Sequence, residues 1–283
     1  MVYDIISFIV TVAMMVSSGV ASGAIAASKI NIDYDSESFE QDISQGDIRV
    51  RVDYRAGESF DDRQLYYVLY YQDEAYLQGT PEYPIMRGEV RFQDIDNDER
   101  PEVIVESYTG GAHCCTVHQI YRWTGGEFEE FILGPADGGG GSFEDLDGDG
   151  DLEFLTFNGG FLYRFSSYAG SFPPSLILSL GDDGFEDVTR EYPQELRSRA
   201  ERMRSVVQER DYEINGVLAG YVAQKILLDE FEEGWEFMLE HYDRQEDWGL
   251  DIYNEDGDVI GQHPDFPTAL RAFLVESGYL DDE

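Results

Sequence analysis

Basic charge is what this chain most conspicuously lacks: 19 Lys and Arg stand against 59 Asp and Glu in 283 residues, a formal net charge of −40. Only Lys29 and Lys225 are lysines. Nucleic acid and anionic lipid surfaces are thereby excluded as partners, because their phosphates would be repelled. Cations and basic molecules are the natural company of such a surface, and its lysine-poor acidity suits a salty or alkaline exterior. Cysteine is nearly absent too, and the two present, Cys114 and Cys115, are neighbours. A vicinal pair cannot staple distant segments, so no disulfide framework holds the fold. In an oxidising compartment the pair could close on itself; the plainer expectation is two small buried thiols on opposite faces of a strand. No Gly-x-Ser-x-Gly elbow occurs, and His241 and His263 lie without a recognisable nucleophile. The run Gly138 to Gly141 lacks the Gly-Lys-Ser/Thr ending of a phosphate loop and reads as a flexible entry to the acidic loop after it. No catalytic residue is assigned.

Long hydrophobic runs are limited to Ile5 to Ala27, which carries no charge. Small residues at Ala24 and Ala26 fit a cleavage site, so residues 1–26 read as a signal peptide. Asp4, where a basic residue is expected, leaves an uncleaved anchor as the alternative. Either way the remainder is exported: secreted or periplasmic if cleaved, membrane-anchored and facing outside if not. The remainder folds, since 42% hydrophobic and 14% aromatic content is too rich for a disordered acidic tail.

From residue 27 to about 190 short runs rich in Tyr, Phe, Val and Ile alternate with turns rich in Gly and Asp. Strands are expected at Ile48 to Tyr54, Leu65 to Tyr71, Glu89 to Phe92, Glu102 to Tyr108, Thr116 to Trp123, Phe128 to Leu133, Leu152 to Phe157, Leu162 to Ser166 and Ser175 to Leu180. From residue 191 to 283 the period turns helical, with helices over Gln194 to Arg210, Asn215 to Phe231, Glu232 to Tyr242 and Pro267 to Ser277. A hairpin is expected about Asn254 to Gly257. The fold class is therefore mainly β with a helical C-terminal region.

Two segments repeat. Phe92-Gln93-Asp94-Ile95-Asp96-Asn97-Asp98 returns 51 residues later as Phe143-Glu144-Asp145-Leu146-Asp147-Gly148-Asp149, and each copy ends on Glu-apolar, Glu102-Val103 and Glu153-Phe154. A period near 50 suits a propeller blade, yet closing a ring takes at least about four blades. About three fit, so blade-like antiparallel sheets in a partial, open arrangement, capped by the helices, are predicted.

Each copy sets oxygen ligands at alternate positions of a tight loop. Hard oxygen ligands in this number select Ca²⁺. The expected ligands are Asp94, Asp96, Asp98, the carbonyl of Arg100 and Glu102, then Asp145, Asp147, Asp149, the carbonyl of Asp151 and Glu153. Neither loop fits an EF-hand, which needs Glu where this chain has Val105 and Thr156. The loops resemble the Asp-x-Asp-x-Asp-Gly-x-x-(Asp/Glu) calcium loops of FG-GAP/VCBS-type repeats, as in integrin α-subunit propellers, over about residues 85 to 180. Gly150 keeps the glycine of that pattern; Glu99 replaces it in the first loop, where a left-handed backbone would cost about 1 kcal/mol or more, so the first loop is expected to be the weaker of the two sites. A segment like Gly110-Gly111-Ala112-His113-Cys114-Cys115 is similarly found beside such repeats in bacterial exported proteins of unassigned role. Strand alternation would put His113 and Cys115 on one face and Cys114 and His118 on the other, a poor four-ligand site.

These features together imply an exported calcium-binding β-repeat protein, a non-enzymatic module with a protein or glycan partner. An exported hydrolase or thiol enzyme with structural calcium is the alternative.

Overall fold

The computed structural model describes residues 29–282 apart from 84, 138 and 211. The expected signal peptide or anchor lies outside them. In chain order the strands are β1 (Lys29–Ile32), β2 (Phe39–Gln45), β3 (Ile48–Arg55), β4 (Gln64–Tyr71) and β5 (Glu74–Gly79). They continue with β6 (Arg87–Gln93), β7 (Glu102–Tyr108), β8 (Thr116–Trp123) and β9 (Phe128–Ala136). After these come β10 (Ser142–Glu144), β11 (Glu153–Phe157), β12 (Ser175–Gly181) and β13 (Gly184–Asp187). The C-terminal part holds α1 (Pro193–Glu209), α2 (Ile214–Leu227), α3 (Phe231–His241), the hairpin β14 (Asp251–Tyr253) and β15 (Val259–Gln262), and α4 (Phe266–Glu276).

The strands form three antiparallel sheets and the small hairpin, and none closes: β2-β3-β4-β5, then β1-β6-β7-β8-β9, then β10-β11-β12-β13. The expected class, mainly β in open blade-like sheets with a helical C-terminal region, is what the chain adopts. The five-stranded sheet lies between the other two. Val103, Val105, Tyr121 and Trp123 face the first sheet across a core with Val50, Val52, Tyr67 and Leu69. Ile104 and Ile120 face the third with Leu133 and Phe154. With both faces covered, β7 and β8 are buried almost without interruption rather than at alternate residues, polar Glu102, Ser107, Thr116, His118 and Gln119 included.

Leu162 to Ser166 is not a strand. It lies in a turn-rich segment bounded by two short 3-10 turns, Gly159–Phe161 and Tyr168–Gly170. Phe161 and Phe165 both point into the helical core, packing edge-on against Phe273. The helical core thus takes in residues that precede α1 by some thirty positions in the chain.

α2 is buried all round from Asn215 to Ile226. Its polar side chains have partners: Gln224 accepts from the Ser175 N–H (2.8 Å) and donates to the Leu196 carbonyl (3.1 Å), and Asn215 exchanges two hydrogen bonds with the Asp243 backbone. Glycine lets this helix approach the turn segment, since a Cβ on Gly220 would lie 1.7 Å from the Phe172 carbonyl oxygen. Among the described residues no helix is long and apolar enough to cross a membrane.

Gly220→Ala is expected to lower unfolding stability by about 1–3 kcal/mol through overpacking, while Gly159→Ala, where a Cβ meets nothing within 4 Å, stays within about 0.5 kcal/mol. Denaturant melts of the two variants check this; equal stabilities would mean that α2 does not seat on Phe172.

Candidate metal centre

The two Asp loops occupy the same place in neighbouring sheets, joining β6 to β7 and β10 to β11. Their backbones match. Asn97 (φ 52°) and Glu99 (φ 67°) take the left-handed positions that Gly148 (φ 85°) and Gly150 (φ 101°) take 51 residues later. The first loop therefore holds a conformation that costs L-residues energy and needs compensation from its surroundings.

That compensation is visible in hydrogen bonds that recur at equivalent positions. The Ile95 N–H donates to Glu102 Oε2 (2.8 Å), and the Leu146 N–H to Glu153 Oε2 (3.0 Å). The Arg100 N–H donates to Asp98 Oδ1 (2.7 Å), and the Asp151 N–H to Asp149 Oδ1 (2.9 Å). Asp94 and Asp145 also accept, but from different loop positions, the Glu99 N–H (3.1 Å) and the Gly148 N–H (2.7 Å). Both closing glutamates are 2% exposed. Their latching of the second loop residue's N–H is a role that ligand spacing alone did not reveal.

The loops also touch one another. The Leu152 N–H donates to the Ile95 carbonyl (2.8 Å), and the Asn97 side-chain amide to the Asp149 carbonyl (3.3 Å). A Cβ on Gly150 would come within 2.5 Å of that amide, so glycine is needed here for close approach as well as for φ.

Convergence differs between the copies. In the first, oxygens of Asp94, Asp96 and Glu102 lie within 4.8 Å of each other; in the second, oxygens of Asp145, Asp147 and Asp149 do. The first group is half-buried or buried and the second is exposed. Asp98 stands outside its group, 3.9 Å from the Arg100 guanidinium, which donates to the Trp123 carbonyl. Glu153 stands outside its group too, and the Tyr192 hydroxyl binds it, the Tyr192 pKa being raised by burial and then by this bond. Asp94 Oδ1 and Asp96 Oδ1 are buried without a hydrogen-bond partner. A buried carboxylate oxygen left unpaired is costly, and two of them beside Glu102 form a cradle of oxygen donors that suits a hard cation.

Electrostatics point the same way. Burial, aided by the charges of Asp96 and Asp98, pushes the Glu102 carboxyl up to about 8. Burial and then Asp98 raise Asp96, which the Arg122 guanidinium, 3.9 Å away, only partly offsets. Burial and then Asp149 and Asp147 raise Asp151.

The cysteine segment departs from expectation. β8 begins only at Thr116, so Cys114 and Cys115 lie in the preceding turn, exposed and half-buried, and are joined as a vicinal disulfide rather than buried as thiols on two strand faces. His113 stacks on Tyr168 (centroids 3.8 Å apart), while His118 is buried with Nε2 3.3 Å from Glu106 Oε2. These residues do not assemble a metal site. Gly140, read as part of a flexible entry, is closely packed: a Cβ there would lie 2.6 Å from Thr116 Cβ and 2.9 Å from His118 Cε1, whereas one on Gly139 would meet nothing within 4 Å.

Two family models match this chain: an FG-GAP-like repeat over residues 94–156, and the sll0997 C-terminal domain over residues 196–278. A probable thylakoid lumen protein of Synechocystis sp. (strain ATCC 27184 / PCC 6803 / Kazusa), sll0997, is 35% identical over 257 residues, covering 84% of this chain and 75% of that protein. The uncharacterized protein y4bJ of Sinorhizobium fredii (strain NBRC 101917 / NGR234) is 33% identical over 208 residues, 69% of this chain. The match spans only 33% of y4bJ. No solved structure matches.

With divalent cations chelated, Glu102 holds its proton in the folded state over a range where the unfolded chain has lost it. Its contribution to stability is then full below 4.5 and lost as pH rises through about 8. Melts of the chelated protein across that window should show the fall, and Glu102→Gln should flatten it. An unchanged slope in the variant would assign the fall to other groups.

Proposed function

The chain belongs to the sll0997 family, and on that footing we propose that it works outside the cytoplasm as a calcium-binding β-repeat module without catalysis of its own. The observation that carries the calcium reading is the pair of buried, unpartnered oxygens of Asp94 and Asp96 beside the buried Glu102. Asp94, Asp96 and Glu102 would hold one ion and Asp145, Asp147 and Asp149 a second, with Asp98, Glu153 and the carbonyls of Arg100 and Asp151 as the remaining oxygen donors of the loops. Calcium supplies charge neutralisation there. The residues do the rest: Glu102 and Glu153 latch their loops, and the Leu152 to Ile95 hydrogen bond ties one loop to the other.

Burial ranks the two loops. The first, with its backbone already held in left-handed positions and its carboxylates shielded from water, is the tighter site. The second, open to solvent, exchanges more readily. Affinities about 10⁻⁴ to 10⁻³ M suit an extracellular module. The FG-GAP-like match over residues 94–156 supports the repeat reading, and the lumenal relative supports an extracytoplasmic address. A surface of net charge −40 stiffened in this way suits a protein or glycan partner and repels nucleic acid. The thiol-enzyme alternative loses support because both sulfurs are joined to each other.

Calorimetric calcium titration with thermal melting tests the proposal. Calcium should stabilise the protein by about 1.4 kcal/mol at tenfold excess over Kd. The pair Asp94→Asn with Asp96→Asn should remove the tighter site, and the triple change Asp145→Asn, Asp147→Asn and Asp149→Asn only the weaker. Absence of heat and of any melting shift at several-millimolar calcium would reduce both loops to acidic turns.

A further inference from the structure

The Cys114–Cys115 bond joins neighbours in the chain. Cross-links stabilise folds mainly by closing long loops in the unfolded chain, so this one contributes little as a staple. It is also accessible: Cys114 is exposed and lines a cleft of about 550 Å³ whose other walls include Leu133, Phe157, Leu162 and Leu178. Buried sulfurs are inert, whereas exposed ones meet solution thiols.

The turn that carries the bond is closed on itself. The Thr109 N–H donates to the Cys115 carbonyl (2.9 Å), the Cys115 N–H to Thr109 Oγ1 (2.9 Å), and the Tyr108 hydroxyl to the Gly111 carbonyl. From this turn His113 reaches out and stacks on Tyr168, whose hydroxyl donates to Asp137 (3.0 Å). Tyr168 in turn lies 5.6 Å, ring to ring, from Tyr163, which shares the wall of the cleft with Cys114. The Tyr163 carbonyl accepts the Trp248 indole N–H (2.9 Å) from the helical region. A change in the turn therefore has a continuous path through His113 to the mouth of the cleft.

We propose that Cys114 and Cys115 form a thiol–disulfide exchange site whose redox state sets access to this cleft. A thiolate of a dithiol reductant attacks Sγ of the exposed Cys114; the sulfur–sulfur bond breaks and its electron pair leaves on Cys115 Sγ, which takes a proton from water. The second thiol of the reductant then displaces Cys114, which leaves as a thiol. The reductant ends as a disulfide, and two electrons and two protons have passed to the protein. With the ring open the turn relaxes and His113 leaves Tyr168.

The test uses the oxidised, folded chain and dithiothreitol as the dithiol. Without denaturant, reduction followed by alkylation should label both sulfurs, and hydrogen exchange should accelerate at least tenfold in residues 109–115 and 163–171 while residues 94–101 stay unchanged. Reoxidation should restore the slow pattern. The double variant Cys114→Ser with Cys115→Ser should show the fast pattern without reductant; if it does not fold, in situ reduction and reoxidation carry the same comparison. Two free thiols in the oxidised protein, or labelling only after denaturation, would overturn the exchange site. Labelling with no change at 163–171 would overturn its control of the cleft.

Discussion

A carboxylate buried at the start of a strand is the constraint around which the β region is organised. Glu102 and Glu153 are each 2% exposed, and each is held by the N–H of the second residue of its own loop. Removing such a group from water is unfavourable unless donors or cations replace the lost solvation. Beyond that donor Glu153 meets the Tyr192 hydroxyl, whereas Glu102 faces the charges of Asp96 and Asp98. The same tight turns that bring Asp94 and Asp96 to Glu102 also present the Ile95 carbonyl to the Leu152 N–H. The carboxylate cluster and the joint between two sheets are thus one arrangement, and a change in either disturbs the other.

The helical region obeys a different constraint, close backbone approach. α2 is buried on every side, with glycine at the points where the turn segment meets it. Phe161 and Phe165, four residues apart, hook that segment into the helical core. The helices are consequently seated on the polypeptide between β11 and β12 rather than hung from the link before α1. Tyr192, at that link, touches the closing glutamate of the second loop, so the exposed Asp cluster sits at the seam between sheets and helices.

Legibility in the sequence followed from how much of an element's burial is its own. β7 and β8 match their expected bounds to the residue because each is rich in β-branched and aromatic residues and is bounded by turn residues. β2 escaped notice because Ile43 is its single fully buried residue; an edge strand of mostly polar residues has no period to detect. Leu162 to Ser166 has strand-like composition, but Phe161 and Phe165 answer to a helical core assembled from Ala200 to Leu274. That the Asp loops gather carboxylates was legible, since alternate spacing is local. Which loop is the more buried was not, because that depends on the Arg122 side chain and on how the sheets stack. The cysteines could be read as neighbours only; their turn is set by where β8 begins.

β1 pairs with β6, Ile32 opposite Gly88, and Lys29 reaches Glu89 at 2.6 Å. The four strands between them form a sheet of their own, a simple meander of sequence neighbours. As the chain emerges in order from its N-terminal end, that meander can assemble at once, whereas β1 must wait unpaired for β6. The middle sheet, on which both outer sheets pack, thus needs a longer chain closure than the first, and the first of the described strands is the one that spans it.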